Sequence, residues 1–189
     1  MSSFGLTVLF EGGLAVVAIL ADVLFFGFDY RHYCRCDIET LWQVTGGLAP
    51  LIIGYFVLQA LPFAAIQRID RLVREVFQEH MSPLKLWQLA VIAALAGIGE
   101  ELLFRGLFQL GLASVVDVWI AVLIVSLLFG LAHALTPTYF LLAFIISLYL
   151  GFLFVHTGNL VVPIAIHALY DWTILLYIRL TPHKTCAQM

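Results

Sequence analysis

Two adjacent carboxylates and a guanidinium interrupt a long apolar run of this chain, in the segment GEELLFRG that spans Gly99 to Gly106. An ionised side chain at the centre of a membrane-spanning helix costs roughly 2.5–3.5 kcal/mol on insertion scales. Glu101 and Arg105 are four residues apart, so a helix stacks them on one face as an ion pair. Glu100 points about 100° away around the helix and has no cation in its own segment. Because burial favours the neutral form of such a carboxyl, Glu100 is predicted to exchange protons.

Two further apolar segments carry imidazole and carboxylate groups at helical spacing. The segment FGLAH places Phe129 and His133 four residues apart, and HALYD places His167 and Asp171 four residues apart. Each pair therefore shares one helical face. An imidazole is a general base, a proton carrier or a metal ligand near neutral pH. Ionisable side chains that face lipid have no polar partner, so these groups can meet only inside a helix bundle. Their convergence there predicts a buried hydrolytic centre.

A structural role is the alternative for these groups. A single intramembrane histidine can simply bond to a neighbouring carbonyl, and interhelical hydrogen bonds contribute only about 0.6 kcal/mol. Polar side chains that join helices are usually Ser, Thr, Asn or Gln, which avoid the charge penalty. Two Glu, two His and one Asp on three segments are better explained by a functional centre.

The composition identifies the surroundings of these groups as lipid. Hydrophobic residues make up 63% of the 189 positions and charged residues 11%, whereas soluble domains are roughly 45–50% apolar and about 25% charged. The chain is therefore predicted to be an integral membrane protein. It has no basic cluster that could follow a phosphate backbone, which argues against a nucleic-acid partner. Cys34, Cys36 and Cys186 are too few and too badly spaced for a disulfide framework or a zinc site, so we expect plain thiols.

Six segments are close to the length of about 20 apolar residues that a membrane span needs. The chain shows no internal repeat or linker, so we predict one domain over residues 1–189. The predicted fold class is an all-α, polytopic membrane helix bundle of about six transmembrane helices around an enclosed polar active site. The six segments are Leu6 to Phe28, Gly47 to Ile66, Leu86 to Ala113, Val118 to Leu135, Tyr139 to Val155 and Leu160 to Leu180.

The distribution of basic residues predicts the orientation in the membrane. Between the second and third spans, IQRIDRLVREVFQEH has the pattern of a helix that lies in the membrane interface. One side of the membrane carries six basic residues and the other only Arg31 and Arg35, so both termini are predicted to be cytoplasmic. In a prokaryote the membrane would be the cytoplasmic (plasma) membrane. The six residues are Arg68, Arg71, Arg74, Lys85, Arg179 and Lys184.

Two acidic residues of the first span, Glu11 and Asp22, lie near its predicted ends, where charges are less costly. We expect both to lie apart from the site. Gly97, Gly99 and Gly106 are small residues that would let a neighbouring helix approach closely.

The three motifs together resemble a known family. EELLFR resembles the EExxxR signature, FGLAH the FxxxH signature and HALYD the HxxxN/D signature of the CPBP family. This family contains CAAX proteases and bacteriocin-processing enzymes and is also called the Abi family. The motifs occur in the family's order, and the resemblance covers roughly Leu86 to Leu180. It implies an intramembrane endopeptidase that acts on a membrane-anchored protein or peptide. Eukaryotic relatives remove the last three residues of prenylated CAAX proteins.

The resemblance also implies roles for individual residues. Glu100 and His133 would activate a water molecule, and His167 and Asp171 would stabilise the oxyanion. Glu101, held in place by Arg105, completes the predicted catalytic set. The best studied relatives have Asn where this chain has Asp171, and an ionised Asp is a poor partner for an oxyanion. Asp171 must therefore be protonated, orient His167, or bind a metal.

Two alternatives stay open at this point. The water-activating interpretation requires no cofactor, but Glu100, His133 and His167 could instead hold a divalent metal such as zinc. The family is often labelled metalloprotease, although no HExxH helix is present here. The rival from another class is a non-catalytic membrane protein, either a proton-coupled carrier or a degenerate family member that binds a partner. Carriers usually show repeated halves and broken helices, and the sequence shows neither.

Overall fold

A computed structural model describes residues 2–181 and shows seven helices, with no strand among those residues. The predicted all-α membrane bundle is confirmed. Lys184 and Cys186, which entered the predictions of orientation and thiol state, lie outside the described residues, whereas Cys34 and Cys36 are free and exposed. The helices are α1 Ser3–Phe25, α2 Ile38–Ala60, α3 Ala64–His80, α4 Leu86–Ala113, α5 Val118–Ala132, α6 Pro137–Thr157 and α7 Val161–Leu180.

Five of the helices, α1, α2, α4, α6 and α7, are long and apolar enough to cross a membrane. The helix α5, at the place of the fourth predicted span, is apolar but has only 15 residues. At 1.5 Å per residue it extends about 22 Å, less than the hydrocarbon thickness of about 30 Å. Pro137 follows it closely, and the residue before a proline disfavours helical backbone, so α5 and α6 are separate helices.

The second predicted span, Gly47 to Ile66, is wrong in its bounds. The helix α2 begins nine residues earlier because the side chain of Asp37 accepts the backbone N–H of Thr40 and caps it. It ends at Ala60 because Pro62 cannot continue it. The chain then turns into α3, which has the predicted amphipathic character: it buries Ile69 and Phe77 and exposes most of its charged side chains.

The helix α4 changes its winding within the EELLFR motif. Residues Leu86–Glu101 are α-helical and residues Leu102–Gln109 are π-helical, so that the N–H of Leu110 donates to the carbonyl of Arg105, five residues back. A π-helical turn is wider than an α-helical turn and is frequent at functional sites. The change begins directly after Glu101, between the carboxylate pair and the rest of the motif.

Glycines of α4 allow α1 and α7 to approach it closely. A Cβ atom added at Gly97 would lie 2.8 Å from the backbone nitrogen of Ala168 on α7, and one added at Gly99 would collide with the backbone oxygen of Glu11 on α1. Gly106 faces the ring of Tyr30. The predicted packing role is confirmed for Gly97 and Gly99, and it brings side chains of α1 and α7 beside Glu100.

Asn159 fixes the start of α7 against the start of α2. Its buried side-chain amide donates to the carbonyl of Arg35 and to Oγ1 of Thr40. Its side-chain oxygen accepts the backbone N–H groups of Arg35 and Val161. These bonds satisfy the polar groups of a buried connection, which would otherwise be costly in a membrane. They therefore hold the helix that carries His167 and Asp171.

Candidate active site

A cavity of about 350 Å³ lies inside the bundle, and all seven helices contribute to its wall. Most of the wall is apolar. Four of the predicted site residues, Glu100, His133, His167 and Asp171, line it together although they come from three separate segments of the chain. An apolar cavity with a few convergent polar groups is the usual form of a binding or active site. The other polar residues of the wall are Thr7, Glu11, Tyr55, Gln59, Asp70, Tyr139 and Tyr170.

Glu100 and His133 face each other across part of this cavity. The Oε2 atom of Glu100 lies 3.7 Å from Nε2 of His133, which is too long for a direct hydrogen bond. It is a separation that one water molecule can bridge. Among the described residues, this buried Oε2 atom has no hydrogen-bond partner. The geometry thus places two proton acceptors close to each other at the cavity wall.

The orientation of His133 follows from its place at the C-terminal end of α5. Its Nδ1 atom lies 2.9 Å from the carbonyl of Phe129 and must donate, because a carbonyl only accepts. In the neutral ring Nε2 is then the acceptor. The imidazole also stacks on the Phe129 ring, with centroids 4.3 Å apart. The four-residue spacing of FGLAH therefore fixes both the direction of His133 and its tautomer.

Glu101 contacts His167 and Arg105, and it is not part of the cavity wall. One of its oxygens, Oε1, accepts from Nη1 of Arg105 and from Nδ1 of His167, each at 2.8 Å. The side chains of Glu101 and Arg105 are 0% and 1% exposed, and the predicted ion pair between them is present. Arg105 also donates to the carbonyl and hydroxyl oxygens of Ser147, each at 2.8 Å. The carboxylate therefore orients His167 from behind.

Asp171 lies on the other side of the same imidazole. Its Oδ2 atom is 3.6 Å from Nε2 of His167, and its side chain is 35% exposed. The two nitrogens of His167 thus face different carboxylates, Nδ1 towards Glu101 and Nε2 towards Asp171 and the cavity. Of the roles that the sequence leaves open for Asp171, this arrangement fits the orientation of His167.

The sequence-based expectation that Glu11 and Asp22 lie apart from the site holds for Asp22 and is wrong for Glu11. Asp22 caps the end of α1, where its side chain accepts the backbone N–H of Phe28. Glu11 lines the cavity, and its Oε2 atom is buried without a hydrogen-bond partner among the described residues. The close approach of α1 to Gly99 explains the difference, because it sets Glu11 beside the residue before Glu100.

Two tyrosines of the cavity wall also escaped sequence reasoning. Tyr170 follows His167 by three residues, so helical spacing alone would have placed it near the site. Tyr139 lies in the first turn of α6, with its ring 6.3 Å from the ring of His133. Its position depends on the turn between α5 and α6, for which the motifs give no signal.

The predicted metal ligands are Glu100, His133 and His167. Within residues 2–181, no group of three or more His, Cys, Asp or Glu side chains is arranged to hold a metal ion. His167 already uses Nδ1 in its bond to Glu101, so only Nε2 could serve as a ligand. The residues as arranged do not form a metal site, and we derive no catalytic step through a metal. Whether the protein binds a metal stays a prediction.

Part of the chain that carries this site matches a known protein family. Residues 82–173, just under half of the chain, match the family model described as type II CAAX prenyl endopeptidase Rce1-like. A protein from Escherichia coli described as "Uncharacterized 24.3 kDa protein" is 30% identical over 136 residues, which are 69% of this chain and 60% of that protein. The chain thus spans less than two thirds of this relative's length. No solved structure matches the chain. The family match covers all three motifs and confirms the resemblance that they suggested.

Proposed function

From the Rce1-like, CPBP-type sequence of residues 82–173, we propose that this integral membrane protein is an intramembrane endopeptidase. It would hydrolyse a peptide bond of a membrane-associated protein or peptide. The observation that carries the proposal is the pair Glu100 and His133, whose acceptor atoms lie 3.7 Å apart in an apolar cavity beside an oriented His167. The match to a peptidase family supports the reaction class.

Water activation is assigned to Glu100 and His133. A water molecule between them would donate a proton to the Glu100 carboxylate as its oxygen attacks the carbonyl carbon of the substrate. Nε2 of His133 would accept a hydrogen bond from the second hydrogen of the water. This bond would direct a lone pair of the water oxygen towards the substrate. The proton on Glu100 then passes to the nitrogen of the leaving group as the C–N bond breaks. The products are a carboxylic acid and an amine.

His167 is assigned to the oxyanion of the tetrahedral intermediate. Its Nδ1 proton is committed to Glu101 at 2.8 Å, so the ring must use Nε2 towards the substrate. With a proton on Nε2, the ring donates to the oxyanion in a site where few other dipoles compete. Asp171, whose Oδ2 atom lies 3.6 Å from that nitrogen, would favour the protonated ring by its negative charge before the substrate binds. Glu101 and Arg105 then act as positioning residues.

The substrate is proposed to carry an apolar group that reaches the site through the bundle. From the catalytic residues the cavity wall extends to apolar side chains of α2, α3 and α7, among them Leu58, Ile69, Val73 and Ile174. Such a wall favours a lipid-modified or membrane-embedded peptide over a polar one. A prenylated CAAX-type substrate is one form that the family match supports, and other processing of membrane-anchored peptides is a second.

The test is cleavage of anchored peptides by the purified protein in liposomes. Peptides with a prenyl anchor, an acyl anchor and a transmembrane anchor would be offered to the wild type and to Glu100→Gln, with and without a chelator. We expect cleavage by the wild type and a loss of at least a hundredfold in Glu100→Gln. Loss of activity with chelator, restored by zinc, would support the metal alternative. If Glu100→Gln cleaves as fast as the wild type, the proposal is wrong, and a non-catalytic carrier or partner-binding protein replaces it.

A further inference from the structure

Glu11 forms no side-chain interaction with the described residues that would stabilise the helix bundle. It lies well inside the apolar helix α1, which is otherwise largely exposed to lipid. Within residues 2–181 its carboxylate forms no ion pair and no side-chain hydrogen bond, and its Oε2 atom is buried. A charged side chain in such a segment is costly, and by default it marks a functional site. Glu11 also precedes residues 82–173 by a wide margin, so the family match does not assign it a role.

The packing of α1 against α4 fixes Glu11 at the part of the cavity wall that contains Glu100, His167 and Asp171. The backbone of α1 at this residue touches Gly99, where no side chain would fit. Glu11 thereby lies within electrostatic reach of Glu100, His167 and Asp171. Its carboxylate lines the same cavity as those three groups. A substrate whose scissile bond lies at Glu100 would therefore place a neighbouring side chain at Glu11.

The wall of the cavity carries more acidic than basic groups. Four carboxylates line it, and of these Asp70 is paired with Arg74 at 2.8 Å. Glu11, Glu100 and Asp171 then share the cavity with only two imidazoles, those of His133 and His167, one of which is also bonded to Glu101. Among the described residues that line the cavity, none is a lysine or an arginine. A cationic side chain that enters this cavity would favour the ionised form of a neighbouring carboxyl and pair with it.

We propose that Glu11 determines substrate specificity at this site by binding a lysine or arginine side chain that lies within two residues of the scissile bond. The inference rests on the proposed endopeptidase function and adds a substrate class to it, namely anchored peptides with a basic residue next to the cleavage point. The carboxyl group of Glu11, which lines the cavity, is the hydrogen-bond acceptor for that cation. Glu100 stays available for the water.

The experiment compares matched peptides that differ only in a lysine or a norleucine at each position flanking the bond. Binding is measured by fluorescence anisotropy to detergent-solubilised Glu100→Gln protein, which does not cleave, and cleavage is measured with the wild type. We expect the lysine peptide to bind about tenfold more tightly at one position, as one hydrogen bond between charged groups supports. Adding Glu11→Gln should bring the ratio of the two affinities, lysine peptide to norleucine peptide, close to one. Asp22→Asn is the matched control, since it removes a carboxylate of the same helix outside the cavity, and the ratio should stay tenfold.

The two proposals fail in different ways. Equal binding of lysine and norleucine peptides at every position, or a preference that survives Glu11→Gln, would overturn the role of Glu11. A lysine preference in binding without cleavage of any peptide by the wild type would leave Glu11 as a cation-binding residue and overturn the endopeptidase function. Glu11→Asp, which keeps the charge on a shorter side chain, should retain part of the preference and excludes a general effect of substitution.

Discussion

Substitution by glutamine should strongly reduce the stability of the protein at Glu101 and leave it almost unchanged at the neighbouring Glu100. Glu101 binds Arg105 and His167 at 2.8 Å each and is fully buried. Glu101→Gln leaves the buried Arg105 guanidinium without its counter-charge. Breaking a buried ion pair by removing one partner costs about 3–5 kcal/mol. Glu100→Gln keeps the size of the side chain and removes no hydrogen bond that the described residues form, so stability should change by less than about 0.5 kcal/mol.

The assay is thermal unfolding of the purified proteins in one detergent, followed by circular dichroism. For a chain of this length, 1 kcal/mol corresponds to about 2–4 °C. Glu101→Gln should therefore unfold about 6–20 °C below the wild type, and Glu100→Gln within about 2 °C of it. Ser147→Ala serves as a control, because it removes one of the hydrogen bonds of Arg105 and should cost only about 1 kcal/mol. If both glutamine variants unfold at the same temperature, the separation of a structural Glu101 from a chemical Glu100 is refuted.

Three further predictions concern the site and its supports. His133→Ala should lower kcat of peptide cleavage about 10²-fold, because the attacking water loses the hydrogen bond that positions it, with an unchanged unfolding temperature. An unchanged kcat would remove His133 from the mechanism. Gly97→Ala should destabilise the protein by about 1–3 kcal/mol because its Cβ would meet the backbone of α7, whereas Gly46→Ala, which has open space, should stabilise α2 slightly. Thermal unfolding of both variants checks this, and equal effects would contradict it. Asn159→Ala should cost about 2–4 kcal/mol because it removes four hydrogen bonds at the start of α7; a loss below about 1 kcal/mol would show that these bonds do not hold the helix.

The predictions that succeeded rest on local spacing. Glu101 and Arg105 form their ion pair because a four-residue separation brings side chains together in any helical turn. The same spacing sets His133 against Phe129 and His167 near Asp171. The cost of stranding charges in lipid then correctly predicted that these groups meet inside the bundle.

The features that could not be predicted from the sequence depend on which helices pack against each other and at which residues they touch. The bond between Glu101 and His167 joins residues 66 positions apart, and the motifs do not specify which of the two adjacent glutamates it uses. Glu11 reaches the cavity only because α1 approaches α4 at Gly99. The π-helical turn after Glu101 has no signature in the residue types, since it depends on how the wider turn packs against α1, α5 and α6.

The most direct test of the account is to follow the oxygen of water into the product. A membrane-anchored peptide would be cleaved by the reconstituted wild type in ¹⁸O-labelled water, with Glu100→Gln as the folded control, and both product pools would be analysed by mass spectrometry. We predict one ¹⁸O atom in the new carboxyl group for the wild type and no detectable new carboxyl group for Glu100→Gln. Labelled product formed at equal rates by both proteins would contradict the assignment of Glu100 as the group that activates water.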